Sequence, residues 1–230
     1  MTLLAFAVVL VAVPFATLLF QVLGQGPLTR LDGNIANRLN ALVYESPGVV
    51  RTLRLISWLG RPVILALFIA PAAVVLWRRH QPKLVAFLLL TTIGGGLVDT
   101  AVKILVNRPR PEVDHPIQTA FGKSFPSGHA MSSLVCYGAL LVLFLPALQR
   151  GLHRRIAVVA TSLLILAIGG SRLFLGVHFV SDVIGGYVLG AAWLLGAIAL
   201  FEVWRVERGK RPSEPLVEGV EPEAEQALAS

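Results

Sequence analysis

The sequence predicts an all-α, polytopic membrane protein: a bundle of six transmembrane helices with an additional extracytoplasmic amphipathic helix. Three observations carry this expectation. Of the 230 residues, 55% are hydrophobic and only 14% charged, with a mean hydropathy of +0.74, whereas a soluble domain is nearer 45–50% apolar and about 25% charged. The apolar residues gather into six runs, each near the roughly 20 residues that a helix needs to cross a bilayer. The basic residues cluster at the ends of those runs, where a membrane protein places them.

The first run, residues 3–23, has no basic stretch ahead of it and no small-x-small cleavage site after it, so it reads as a retained helix and not as a cleaved signal. Residues 29–44 differ in kind. Leu31, Ile35, Leu39, Leu42 and Val43 recur at helical spacing, with Asp32, Asn34, Asn37, Arg38 and Asn40 between them. That pattern suits a short helix lying on the outer surface, or equally one that caps the bundle.

The remaining runs are 56–77, 84–106, 130–148, 156–173 and 183–203. Gly94, Gly95 and Gly96 fall in the third with no strand before them, so they are not a dinucleotide loop and point to close helix packing. The single cysteine, Cys136, falls in the fourth; it has no partner for a disulfide and reads as a small buried apolar side chain. Residues 1–211 thus form one membrane domain. Residues 212–230, rich in Pro and Glu with no aromatic residue or apolar periodicity, read as a disordered cytoplasmic tail.

Orientation follows from charge. Arg78, Arg79 and Lys83, then Arg150, Arg154 and Arg155, then Arg205, Arg208, Lys210 and Arg211 occupy the connections after runs two, four and six. The positive-inside rule puts that side, and with it both termini, in the cytoplasm of a cell membrane. Trp58, Trp77 and Trp204 near run ends suit interfacial anchors. The net charge of +7 is accounted for by this distribution, which makes nucleic acid a poor partner.

Three polar segments then share the outer side: "KILVNRPRP" from Lys103, "FPSGH" from Phe125 and "SRLFLGVHFVSD" from Ser171. Charges in membrane helices are costly and tend to mark functional sites. Lys103, Arg110 and Arg172 supply three cations with no obligatory carboxylate beside them. An Arg fork grips two oxygens of a phosphate and Lys adds a point charge. Ser127 offers a hydroxyl and Gly128 an unobstructed N–H at the start of the fourth helix, where donors face an anion. Phosphoryl transfer through an enzyme intermediate further needs a nucleophile and a proton donor. His178 and Asp182, four apart, share a helical face; a carboxylate on one ring nitrogen leaves the other nitrogen's lone pair for attack. His129, on the separate Pro-Ser-Gly-His turn, is then the general acid. Arg108 reads as a snorkelling or auxiliary cation outside this set. Glu112, Asp114, His115 and Lys123 read as solvated loop.

These residues resemble the three signature motifs of the type 2 phosphatidic acid phosphatases, integral membrane lipid phosphatases: K-x6-R-P at Lys103, Arg110 and Pro111, P-S-G-H at Pro126 to His129, and S-R-x5-H-x3-D at Ser171, Arg172, His178 and Asp182. Every specified position matches, in order. The resemblance implies that His178 forms a phosphohistidine, Asp182 orients it and His129 protonates the leaving group. Lys103, Arg110, Ser127, Gly128 and Arg172 would hold the phosphate, with no metal and no cofactor. The expected activity is hydrolysis of a phosphomonoester or diphosphate on a lipid. Polyprenyl diphosphate is slightly favoured over phosphatidylglycerol phosphate and phosphatidic acid, because an outward-facing site suits recycling of a polyprenyl carrier. Two rivals remain: phosphotransfer to a second lipid, and a non-catalytic transporter of anionic lipids that uses the cations for binding alone.

Overall fold

Proline sets where four of the helices begin. A computed structural model describes residues 2–24, 26–148 and 151–207. It places Pro27, Pro47, Pro62 and Pro82 at the first position of α2 (Pro27–Ala41), α3 (Pro47–Trp58), α4 (Pro62–Arg78) and α5 (Pro82–Val106). Proline has no N–H to lose there and its φ suits a helix start. The other helices are α1 (Thr2–Leu23), α6 (Gly128–Phe144, continued by a short 3₁₀ turn), α7 (Leu152–Phe174) and α8 (Val180–Glu207). No strand occurs among the described residues. The tail expected at 212–230 lies outside them.

Four helices are long and apolar enough to cross a membrane: Pro82–Val106, Gly128–Ala147, Leu152–Phe174 and Val180–Trp204. Three of them, the first, third and fourth, carry exposed Leu90, Leu105, Leu163 and Leu200 on their outer faces, as lipid-facing surfaces do. The run read at 56–77 as one span is instead two helices, α3 and α4, bent by 44°; counted as one broken span, they make a fifth. Pro62 explains the break, because a residue before proline is pushed out of the helical region, and Arg61 has ψ 142°. Tyr137 Oη donates to the Leu59 carbonyl at the break, 2.9 Å away. Trp58 is the last residue of α3, directly before this break.

α6 is the central helix, packed against α4, α5, α7 and α8, and Ala130, Met131, Val135, Ala139 and Leu143 along it are buried. Its closest neighbour is α8. A Cβ at Gly186 would lie 2.6 Å from the Ser127 carbonyl oxygen, and one at Gly190 3.2 Å from that of Met131. The glycines thus let two backbones approach. On α5, Gly94 and Gly95 admit the Trp193 ring, and a Cβ at 94 would sit 2.4 Å from it, while Gly96 faces open space. Cys136 is buried and free.

α2 lies across the end of the bundle at which α5 and α7 finish and α6 and α8 start, packing on α7 and α8. Its inward face is not the apolar one. Asp32, Ala36 and Asn40 are buried while Leu31 and Ile35 are 55% and 37% exposed.

The α6–α8 contact predicts a contrast. Gly186→Ala should lower the thermal midpoint of the detergent-solubilised protein by an amount equivalent to about 1–3 kcal/mol, since a backbone carbonyl cannot yield to the added methyl. Gly96→Ala should change it by less than about 1 kcal/mol.

Candidate active site

The antiparallel order of the helices gathers the three polar segments. α5 delivers Lys103 from its last turn and stops at Asn107, whose left-handed φ of 53° closes the helix with an N–H bond to the Lys103 carbonyl, a conformation Asn tolerates better than most residues. α7 delivers Arg172 from its last turn, α6 starts with Gly128 and His129, and α8 carries Asp182 in its first turn. The Ser127 N–H donates to the Asp182 carbonyl at 2.9 Å, tying the starts of α6 and α8 together. Two helix N-termini, each with partial positive charge, therefore open on one site.

His178 is buried in the turn between α7 and α8. Its Nδ1 lies 3.4 Å from Asp182 Oδ2 and its Nε2 lies 3.2 Å from Arg110 Nη1. A guanidinium only donates, so Nε2 is the acceptor and Nδ1 carries the hydrogen that faces Asp182. This is the tautomer with the lone pair away from the carboxylate. Burial lowers the His178 pKa to about 4, with Arg110 and Arg172 acting in the same direction and Asp182 opposing them. The ring is neutral at pH 7.

The cations are held unequally. Arg172, almost fully buried, donates from Nη1 to Ser57 Oγ of α3 at 2.5 Å, and its Nε is buried with no hydrogen-bond partner. Ser127 Oγ and His129 Nε2 are likewise buried and unpartnered. Ser127 occupies the N-cap of α6, yet its side chain makes no capping bond. Buried polar groups in this condition are rare in proteins; here three stand at one end of the bundle, each a donor or potential donor, two of them at the start of α6.

Arg110 departs from the sequence expectation of a two-oxygen grip. Nε donates to Gly122 O (3.1 Å), Nη2 to Phe121 O (3.0 Å) and Nη1 to Val177 O (2.8 Å) as well as facing His178. Of its five N–H groups, one is left uncommitted. Lys103 departs too: it does have a carboxylate beside it. Its Nζ lies 2.5 Å from Asp99 Oδ1, one helical turn back. Gly128 sits against this pair, and a Cβ there would be 3.1 Å from Lys103 Nζ and 3.2 Å from Asp99 Oδ2.

The largest correction concerns Arg108, which the sequence reading left outside the site. Its Nη1 donates to Asp182 Oδ1 at 2.6 Å and to Ser181 Oγ at 2.7 Å, and its Nη2 donates to Asp32 Oδ2 at 2.9 Å. Asp182 is fully buried. It further accepts the Ser124 hydroxyl and the Phe179 N–H, the latter at 2.9 Å. Asp99 was open to inference from its i, i+4 spacing to Lys103. Ser57, Asp32 and Ser124 sit outside the motifs and carried no sequence signal. Of the loop residues read as solvated, Asp114 reaches α2 through its N–H to Asn37 Oδ1 (3.3 Å), and His115 stacks on Tyr44 at 3.9 Å. No three His, Cys, Asp or Glu side chains gather closely enough to hold a metal ion among the described residues.

A site of this construction on an all-helical membrane bundle defines a class. Residues 84–205 match the PAP2 superfamily, and the chain belongs to that superfamily: it is a membrane-embedded phosphatase. It is 30% identical over 155 residues to phosphatidylglycerophosphatase B of Bacillus subtilis, covering 65% of this chain and 74% of that one. It is 34% identical over 168 residues to decaprenylphosphoryl-5-phosphoribose phosphatase of Mycobacterium tuberculosis, covering 70% and 84%. The fold matches the crystal structure of a transmembrane PAP2-type phosphatidylglycerolphosphate phosphatase from Bacillus subtilis with a TM-score of 0.79 at 23% identity, over 90% of this chain and 98% of that one.

Two outcomes follow from the geometry. An imidazole must be neutral to attack, so activity persists above its pKa and is lost as pH falls through it. The acid limb of kcat/KM assigned to His178 should lie near pH 4, well below the ordinary histidine value of about 6.5, in pH–rate profiles of two substrates with different ionisation. Gly128→Ala should reduce kcat about tenfold or more by pushing Lys103 and Asp99 off their positions, with chromatographic behaviour in detergent unchanged.

Proposed function

We propose that this protein hydrolyses a phosphomonoester or diphosphate carried on a membrane lipid, in two steps through a phosphohistidine at His178. The observation that carries the reading is the setting of the buried His178: Nδ1 faces the Asp182 carboxylate and Nε2 faces the basic side of the site. A pure binding site for anions would gain nothing from such a nucleophile, which argues against the transporter reading.

In the first step His178 Nε2 attacks phosphorus while the bond to the leaving oxygen breaks. His129, on the first turn of α6, gives that oxygen a proton, and the dephosphorylated lipid (or its monophosphate) departs. In the second step water attacks phosphorus, His129 takes the water's proton, the P–N bond breaks and inorganic phosphate leaves. Charge on the equatorial oxygens is met by Arg172 Nε, the Ser127 hydroxyl, the Gly128 N–H, Lys103 and the remaining N–H of Arg110, donors already in place before the reaction. Asp182 keeps the His178 tautomer and stabilises the positive charge that the ring acquires.

The substrate is proposed as a long-chain lipid phosphate, with polyprenyl diphosphate ahead of phosphatidylglycerol phosphate and phosphatidic acid. The names of the two relatives, one decaprenyl-linked and one a phosphatidylglycerophosphatase, support a lipid carrier of either kind. The topology proposed with it has six spans, α1 and the broken α3–α4 unit included, with α2 and the site extracytoplasmic. The basic connections and both termini are then on the cytoplasmic side of the cell membrane. The membrane domain is taken as residues 1–211. The position of Arg78, Arg79 and Lys83 at the bundle end opposite Lys103 supports that orientation.

A phosphate-release panel over purified lipids in detergent tests the reading. Wild-type protein should release inorganic phosphate from at least one of these lipids with no added acceptor and in the presence of chelator. His178→Ala should reduce release to background with every lipid, and Asp182→Asn should keep the fold but lose kcat about 100-fold or more. Loss of phosphate from the donor lipid that requires a second lipid and appears on it, with no inorganic phosphate released, points to phosphotransfer; release that survives His178→Ala removes the assigned nucleophile.

A further inference from the structure

A carboxylate that orients a histidine must itself be stopped from turning. Asp182 is fully buried, and rotation about its last torsion would exchange the oxygen that faces His178. Arg108 occupies the other oxygen, Oδ1, at 2.6 Å. The guanidinium is in turn fixed on its remaining sides. Its carbon lies 4.3 Å over the Phe179 ring, a cation–π contact, and its Nη2 meets Asp32 Oδ2 at 2.9 Å.

Asp32 does more than hold Arg108. It belongs to α2, far away in sequence, and only 3% of its surface is exposed. Its Oδ1 accepts the Ser181 N–H at 3.2 Å and its Oδ2 accepts the Ser181 hydroxyl. Ser181 is the second residue of α8 and the neighbour of Asp182. The first N–H groups of a helix have no partner within it, so a carboxylate from another helix serves here as an N-terminal cap. α2 thereby grips both the guanidinium that fixes Asp182 and the backbone that carries it.

We propose that Asp32 and Arg108 are positioning residues for the His178–Asp182 pair, through which α2 holds the nucleophile in its reactive orientation. This rests on the assignment of His178 as nucleophile. One cation lies between two buried carboxylates, so removing either partner leaves the other group uncompensated, which is costly for a buried charge. α2 is suited to the part. Its buried stripe is Asp32, Ala36 and Asn40, and Asn40 Nδ2 donates to the Phe174 carbonyl at the end of α7 at 3.3 Å. One short helix thus braces both sides of the turn that carries His178.

The electrostatics give this arrangement a signature that simple loosening lacks. His178 is faced by Asp182 from α8, Arg110 from the loop before α6, Arg172 from α7 and His129 from α6. Arg108→Gln removes positive charge beside Asp182, so the carboxylate favours the imidazolium more and the acid limb rises. Asp32→Asn removes negative charge from Arg108's far side, so Arg108 acts on Asp182 more fully and the acid limb falls.

The test uses the full chain in detergent, with dioctanoyl phosphatidic acid and farnesyl diphosphate as substrates, and compares pH profiles of kcat and KM. Arg108→Gln should lower kcat about 10–100-fold with KM changed less than about twofold. Asp32→Asn should lower kcat less, and should add less than about twofold in the Arg108→Gln background, because it acts through Arg108. The two acid limbs should move in opposite directions, by about half a pH unit or more. Arg108→Lys, which keeps the charge but cannot bridge two carboxylates, should restore the limb and not the rate. Unchanged kcat in Asp32→Asn and Arg108→Lys overturns the proposal, as do limbs that stay fixed or move together. If Arg108→Gln does not fold, the rate and limb of Asp32→Asn and Arg108→Lys decide the matter alone. Activity surviving His178→Ala would instead sink the nucleophile assignment, a result these variants do not mimic.

Discussion

The site depends on one buried negative charge. A carboxylate taken out of water is tolerated only when donors surround it. Asp182 receives the Arg108 guanidinium, the Ser124 hydroxyl and the Phe179 N–H, besides facing the His178 ring. These donors come from the loop before α6 and from the turn before α8, so satisfying Asp182 obliges separate parts of the chain to meet. Its backbone contributes as well, since its carbonyl accepts the Ser127 N–H at the start of α6. The residue that orients the imidazole is also the point at which the site is assembled.

The helix packing serves the same end. α6 and α8 run close enough that a methyl at Gly186 would strike the Ser127 backbone, which keeps the two helix starts level. The break between α3 and α4 presses into the site from the other side. A Cβ at Gly60 would lie 3.1 Å from His129 Cδ2 and 2.5 Å from Ile168 Cγ2, and Ser57, just before the break, holds Arg172. A straight helix over this run would present neither the close glycine contact nor the hydroxyl in the same way. The kink is part of how the cations are placed.

Much of this was legible in the sequence because it is local or repetitive. Apolar runs mark helices whether or not the rest of the fold is known, and four of them became membrane-length helices within a few residues of the expected ends. The motif residues Lys103, Arg110, Ser127, Gly128, His129, Arg172, His178 and Asp182 fall at helix ends and turns on one end of the bundle. What was not legible involves partners distant in sequence or a choice between environments of equal polarity. Gly60, Arg61 and Pro62 interrupt the apolar run at the break, but the apolar residues on either side let it pass as one span. On α2 the apolar stripe was visible, but in a bilayer an apolar face can meet lipid as readily as protein, and it was the polar face with Asp32 and Asn40 that turned inward. Arg108 looked like an ordinary interfacial cation because its two carboxylate partners lie more than 70 residues away on either side.

The central claim is that His178 takes the phosphoryl group covalently. Rapid acid-free quenching of the His129→Ala protein with ³²P-labelled nitrophenyl phosphate, whose leaving group departs without a proton from His129, followed by peptide mapping, measures this directly. The account predicts stoichiometric label on the peptide that contains His178, stable in base and released by acid, and absent when His178 is also replaced. Label on another residue, or full turnover with no labelled peptide at any time point, would contradict it.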